Sequence, residues 1–167
     1  MSKTQISTGG IADDAVTAAK ATGFGKVGQV VQASTSTAVN VASTSVADTG
    51  LTVNITPTAT TSKVLVQVNQ SILTDIDTTG GNSKIKLLRG STTVIDFTTN
   101  IARVEAGGAS SVKFGNLTTF SFLDSPSTTS ETTYKTQGAI SSTSNNGTAR
   151  FQNSSVPSVI TVTEILA

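Results

Sequence analysis

The side chains best able to do chemistry are scarce in this chain, and their types limit what it could do. Histidine and cysteine are absent. That removes the commonest general base and the commonest metal ligands. It also leaves no disulfide and no thiolate, so the fold is indifferent to redox compartment. A hydroxyl nucleophile needs a base beside it, and no Ser-x-x-Lys stands on a predicted helix. Only 10 Asp and Glu residues occur, most of them in predicted loops or the helix. A carboxylate pair for glycoside hydrolysis is therefore the one hydrolytic arrangement left formally open.

The best metal candidate is Asp75-Ile76-Asp77-Thr78-Thr79-Gly80. Two carboxylates two residues apart before a glycine resemble part of a Ca²⁺ loop. An EF-hand also needs a third oxygen ligand and a Glu at its twelfth position, and Lys86 stands there. A solvated turn is the simpler reading. Gly23, Gly25 and Gly28 match a dinucleotide-binding spacing, but that motif needs a strand before it and a helix after it. Here a helix precedes and a strand follows, so these glycines read as a hinge. Asn54, Asn69, Asn116, Asn146 and Asn153 open N-x-[ST] sequons, which arise by chance in so Ser- and Thr-rich a chain. Without a visible signal peptide they read as unmodified. No cofactor and no metal is expected, and no enzymatic activity.

The elements that must carry these residues centre on Lys63–Ile72. Val64, Val66, Val68 and Ile72 fall on one face at period two, with Leu65, Gln67, Asn69 and Ser71 on the other. That alternation predicts a long strand with one buried face. Further strands are predicted over Val27–Gln32, Thr37–Val41, Leu51–Ile55, Lys84–Arg89, Thr92–Phe97, Val112–Leu123, Tyr134–Ile140, Ala149–Asn153 and Val159–Leu166. The link Gly90-Ser91 reads as a hairpin turn, residues 100–110 as a looser connection, and Gly115 as a possible kink. About ten short strands with turn residues between them indicate an all-β sandwich or barrel.

The first 26 residues differ. Residues 1–10 form a polar arm containing Ile6. Residues 11–22 are the one predicted helix, starting at Ile11, with Ala12, Ala15, Val16 and Ala19 on its apolar face. Asp13 and Asp14 in its first turn and Lys20 in its last suit the macrodipole, and Gly23 can cap it. Three turns are marginal alone in water. The helix needs a partner surface, so residues 1–26 read as an anchoring arm and 27–167 as the β domain.

Composition narrows the function classes. Net charge is +1 with 13% charged residues, and no basic patch points to nucleic acid. No apolar run reaches the roughly 20 residues that span a bilayer as a helix. Ser and Thr make up roughly a third of the chain, well above ordinary usage. Aromatics are 4%, with no Trp and one Tyr. So thin an aliphatic core predicts extra burial between subunits. A glycan-binding module would present aromatic platforms, and this chain offers Tyr134 and few exposed Phe candidates, which counts against that class.

Ile11–Lys20, IADDAVTAAK, resembles a motif in the N-terminal parts of bacteriophage tail-fibre and fibre-like virion proteins. GKVGQVVQASTSTAVNV, DTGLTVNITPTATTSKVLVQVNQS, KLLRGSTTVIDF, LDSPSTTSETTYKTQ and SVITVTEILA resemble, in the same order, small marine-phage virion proteins. The resemblance covers most of the chain. It implies a C1q/TNF-like antiparallel jelly roll, a homotrimer, and a place on the virion surface. The implied partners are the phage major capsid protein or a tail component, with host surface glycan as the alternative. Ile6, Ile11, Ala12, Ala15, Val16 and Ala19 become the expected anchoring residues. The IADDAVTAAK unit occurs once, without shaft repeats, which favours a capsid decoration protein over a far-reaching fibre.

Overall fold

The structure is a computed structural model that describes residues 26–77, 80–105, 111–144 and 146–166. The arm, the predicted helix and the anchoring residues Ile6, Ile11, Ala12, Ala15, Val16 and Ala19 lie outside the described residues, as do Gly23 and Gly25. Ten strands form two antiparallel sheets. They are β1 (Lys26–Thr35), β2 (Val39–Val41), β3 (Ala47–Ile55), β4 (Lys63–Ile76), β5 (Gly81–Arg89), β6 (Thr92–Val104), β7 (Val112–Asp124), β8 (Thr132–Ile140), β9 (Thr148–Phe151) and β10 (Ser158–Leu166).

The chain is an all-β sandwich of jelly-roll type, and β4 is its central strand. Over Val64–Asn69 the first sheet runs β1-β10-β4-β7. Past Ile72, β9 replaces β10 beside β4 and carries β2 on its far side. The second sheet runs β3-β8-β5-β6. The inner face of β4 reads Val64, Val66, Val68, Gln70, Ile72, Thr74 and Ile76, all buried. The predicted parity holds, and the strand runs four residues beyond its predicted end. Burying each such aliphatic side chain contributes roughly 1.5–3 kcal/mol over leaving it exposed.

Two apolar clusters fill the sandwich. One gathers Leu51, Val53, Ile55, Val64, Val66, Val68, Leu87, Tyr134, Ile160 and Val162. The other gathers Ile72, Ile76, Ile85, Ile140, Ala149 and Phe151. A buried polar belt lies between them. Gln70 Oε1 accepts from Thr136 Oγ1 at 2.8 Å, and its Nε2 donates to Ser158 Oγ at 2.9 Å. Thr49 Oγ1 and Thr136 Oγ1 share a hydrogen bond at 2.5 Å. With its amide turned to suit its neighbours, Gln152 donates to the carbonyls of Thr49 and Thr37 at 3.0 and 3.2 Å. A satisfied polar network carries a low energetic cost and penalises every shifted register that would break it.

Several boundaries differ from the sequence reading. β6 extends to Val104, through what read as a loose connection. β3 begins at Ala47 and carries Gly50 at φ 83° beside a register shift. β9 ends at Phe151, followed by a 3-10 turn at Asn153–Ser155. Gly115 is no kink: β7 pairs β4 residue for residue from Val112↔Ile76 to Asp124↔Val64. Gly90 closes the β5–β6 hairpin as expected, at φ 57°. Gly28 lies inside β1 rather than in a hinge. A Cβ there would come within 2.9 Å of Glu164 Oε2, so a side chain at this position would have to displace that carboxylate.

Candidate functional site

The residues that could carry chemistry are held as structural ties. Asp75 is the penultimate residue of β4 and is buried. Arg150 Nη2 reaches its Oδ2 at 2.6 Å and Lys113 Nζ lies at 3.7 Å. Asp77 Oδ2 accepts from Asn146 Nδ2 at 2.9 Å. The two carboxylates of the apparent Ca²⁺ loop are thus engaged by different partners. Among the described residues no three acidic side chains gather where a metal could sit.

Asp124 at the end of β7 takes both oxygens to Arg89 Nη1, at 2.8 and 2.7 Å, and accepts from Tyr134 Oη at 2.7 Å. Tyr134 is fully buried, so the aromatic platform expected of a glycan binder is a core residue instead. Its phenol pKa is raised far above the ordinary 10.0, first by burial and then by the Asp124 carboxylate. Glu164, on β10, is 0% exposed. It accepts from Gln29 Nε2 at 2.9 Å, the Thr58 amide at 2.7 Å and Thr58 Oγ1 at 2.8 Å. Burial pushes its pKa up, and the hydrogen bonds outweigh burial to leave it at about 2. That carboxylate clasps β1, β10 and the loop after β3.

The surface without charged ties of this kind is the outer face of the β1-β10-β4-β7 sheet, where Gln32 bonds Thr161 and Thr119 bonds Asn69. Its positions follow from the register. β1 contributes Val30, Gln32 and Ser34; β10 contributes Thr163, Thr161 and Val159. β4 contributes Leu65, Gln67, Asn69, Ser71 and Leu73; β7 contributes Leu123, Ser121, Thr119, Leu117 and Gly115. None of these is charged. Charge returns only at the two ends, with Lys63 at one and the Asp75, Lys113 and Arg150 cluster at the other. Val30, Leu117 and Leu123 are 58%, 57% and 49% exposed.

At the Ile72 end of this face lies a groove of about 540 Å³, lined among others by Leu73, Gly115, Leu117, Val156 and Pro157. Strands β4 and β7 spaced about 4.8 Å apart over about thirteen residues, with β10 and β1 beside them over about seven, make a face of roughly 600 Å². Sequence reasoning placed burial around β4 but did not find this groove. Val156 and Pro157 read as a loop, and nothing in one dimension sets them beside Gly115.

No family model matches the chain, and no curated protein matches it. Solved structures of infectious bursal disease virus align with the chain weakly. The Gt strain structure aligns at TM-score 0.38 and 15% identity over 84% of this chain. The VP2 subviral particle aligns at TM-score 0.38 and 14% identity, and the Gx strain at 0.37 and 11%. This chain spans 38–39% of the length of those chains.

Proposed function

We propose that the protein is a non-enzymatic structural component of a bacteriophage particle. It is a homotrimer held on the particle surface by its N-terminal segment, most simply as a capsid decoration protein. The observation that carries this reading is the uncharged outer face of the β1-β10-β4-β7 sheet. A sheet face left to solvent ordinarily carries charges that discourage association. Interface cores are instead depleted of them. The roughly 600 Å² available approaches the ~800 Å² per partner of a standard stable interface. The sequence resemblance supports the virion as the setting and three as the number of copies.

The mechanism is avidity. Three weak anchors on one trimer raise one another's effective concentration, so the whole binds far more tightly than one arm. The apolar side of residues 11–22 is too small to hold a helix alone and gains stability from the surface it docks on.

Particles stripped of this protein test the reading. The full chain rebinds them. A version lacking residues 1–22 stays trimeric and does not, and Val16→Asp behaves the same way, because it buries an unpaired carboxylate at the contact. Normal occupancy by the truncated trimer would move the anchor to the sandwich itself.

A further inference from the structure

Gly115 is a residue the protomer does not account for. It stands inside β7, where a glycine packs nothing and weakens the strand. Its pairing with Leu73 lies in an unbroken register, and only Gly50 and Gly90 are glycines with positive φ among the described residues. A Cβ at Gly115 would meet nothing within 4 Å, whereas one at Gly138 would strike the Phe151 ring. Neither backbone conformation nor internal crowding excludes a side chain at 115. A strand glycine without an internal reason marks a place where another chain comes close.

The same position forms part of the wall of the apolar groove with Leu73, Leu117, Val156 and Pro157. Next to it on β7, Phe114 is 44% exposed. Trp is absent, the single Tyr is buried, and among the described residues Phe114 is the one aromatic with an exposed large hydrophobic side chain. Half-exposed aromatics beside apolar pockets are the usual anchors of protein interfaces.

We infer that Phe114 of one copy seats in the Gly115 groove of the next. The inference rests on the trimeric reading above and names the contact that closes it. Phe114 pairs with Thr74 and Gly115 with Leu73, so ring and groove lie at one level along the strands. Copies related by a rotation axis along the strands meet at equal levels, so the ring of one copy can reach the groove of the next. Phe114 and Gly115 point to opposite faces of β7, because successive side chains alternate. The contact is therefore head-to-tail, and a three-fold rotation closes such contacts into a ring. The Asp75, Lys113 and Arg150 cluster at the end of the groove supplies a polar rim.

Gly115→Arg and Phe114→Ser test it, with sedimentation velocity at micromolar concentration as the readout. The wild type sediments as a trimer. Each variant sediments as a monomer with the far-ultraviolet spectrum of the β fold retained, since both positions are open in the protomer. An equimolar mixture of the two variants gives a 1:1 heterodimer. The Phe114→Ser copy keeps an intact groove and the Gly115→Arg copy an intact ring, so one good contact forms. A Gly115→Arg variant that stays trimeric overturns the groove contact and leaves the trimeric reading standing. Monomeric variants that never pair overturn the head-to-tail seating. A monomeric wild type overturns both.

Discussion

The hydroxyl of Tyr134 donates to Asp124 Oδ2 at 2.7 Å, tying β8 of one sheet to β7 of the other. Arg89, from β5, closes the same carboxylate from a second side. The cluster joins the two layers at one end of the sandwich, as the Gln70 belt does at its middle. Tyr134→Phe removes one hydrogen bond to a charged group and leaves the Arg89 pair intact. It should cost about 1.5 kcal/mol, the lower end for such bonds. Urea unfolding reads this as a lower midpoint at unchanged slope, and an unchanged midpoint would contradict it.

Tyr134 is also the chain's single tyrosine, so its titration can be followed alone. A phenol pKa raised in the fold gives stability that is whole below the unfolded value of 10.0 and is lost as pH rises above it. Near-ultraviolet absorbance should show no phenolate until the chain unfolds in alkali. Ionisation at pH 10 in a folded protein would contradict the buried hydroxyl.

Glu164 acts at the opposite end of the pH scale. Its pKa is depressed from 4.5 to about 2. A depressed carboxylate contributes stability that is present above pH 4.5 and drains away as pH falls toward 2. The melting temperature of the wild type should fall across that window. Glu164→Gln should melt lower at neutral pH, with the gap to wild type closing as the acid window is crossed. Parallel curves for the two proteins would refute the clasp.

Gly138→Ala should be among the most damaging small substitutions. The new methyl group would strike the Phe151 ring and meet the Lys84 carbonyl at 2.9 Å. Phe151 is fully buried and has no room to retreat. Overpacking of this kind costs roughly 1–3 kcal/mol or more, equivalent to about 2–12 °C in a domain of this size. Gly115→Ala, made in parallel, should leave the protomer's fold intact, since that Cβ position is open.

How much of this was legible in the sequence depended on periodicity. The inner face of β4 was readable because valines repeat at every second residue. The Gly90 turn was readable because glycine beside a polar residue between two apolar runs has few other uses. The belt was not readable: Gln70 and Gln152 look like surface residues in one dimension, and their burial is compensated only by partners on other strands. Tyr134 stands in a strand as expected, but its burial was not readable, since its hydroxyl partner Asp124 follows the predicted end of β7. β6 ran past its expected end because pairing with β5 holds it, as in Ser83↔Ile101 and Gly81↔Val104.

Chelators should leave the melting temperature unchanged. Asp75 is already neutralised by Arg150 and Lys113, and Asp77 accepts from Asn146. A fall in melting temperature on adding a chelator, restored by Ca²⁺, would show that the β4–β5 loop binds the ion after all.

Quantifying this protein in purified particles of the virus proposed to carry it tests the central claim most directly. A decoration protein follows the symmetry of the shell, so the account predicts on the order of hundreds of copies per particle. A count in the tens would indicate a tail fibre instead. Its absence from purified particles would contradict a virion role altogether.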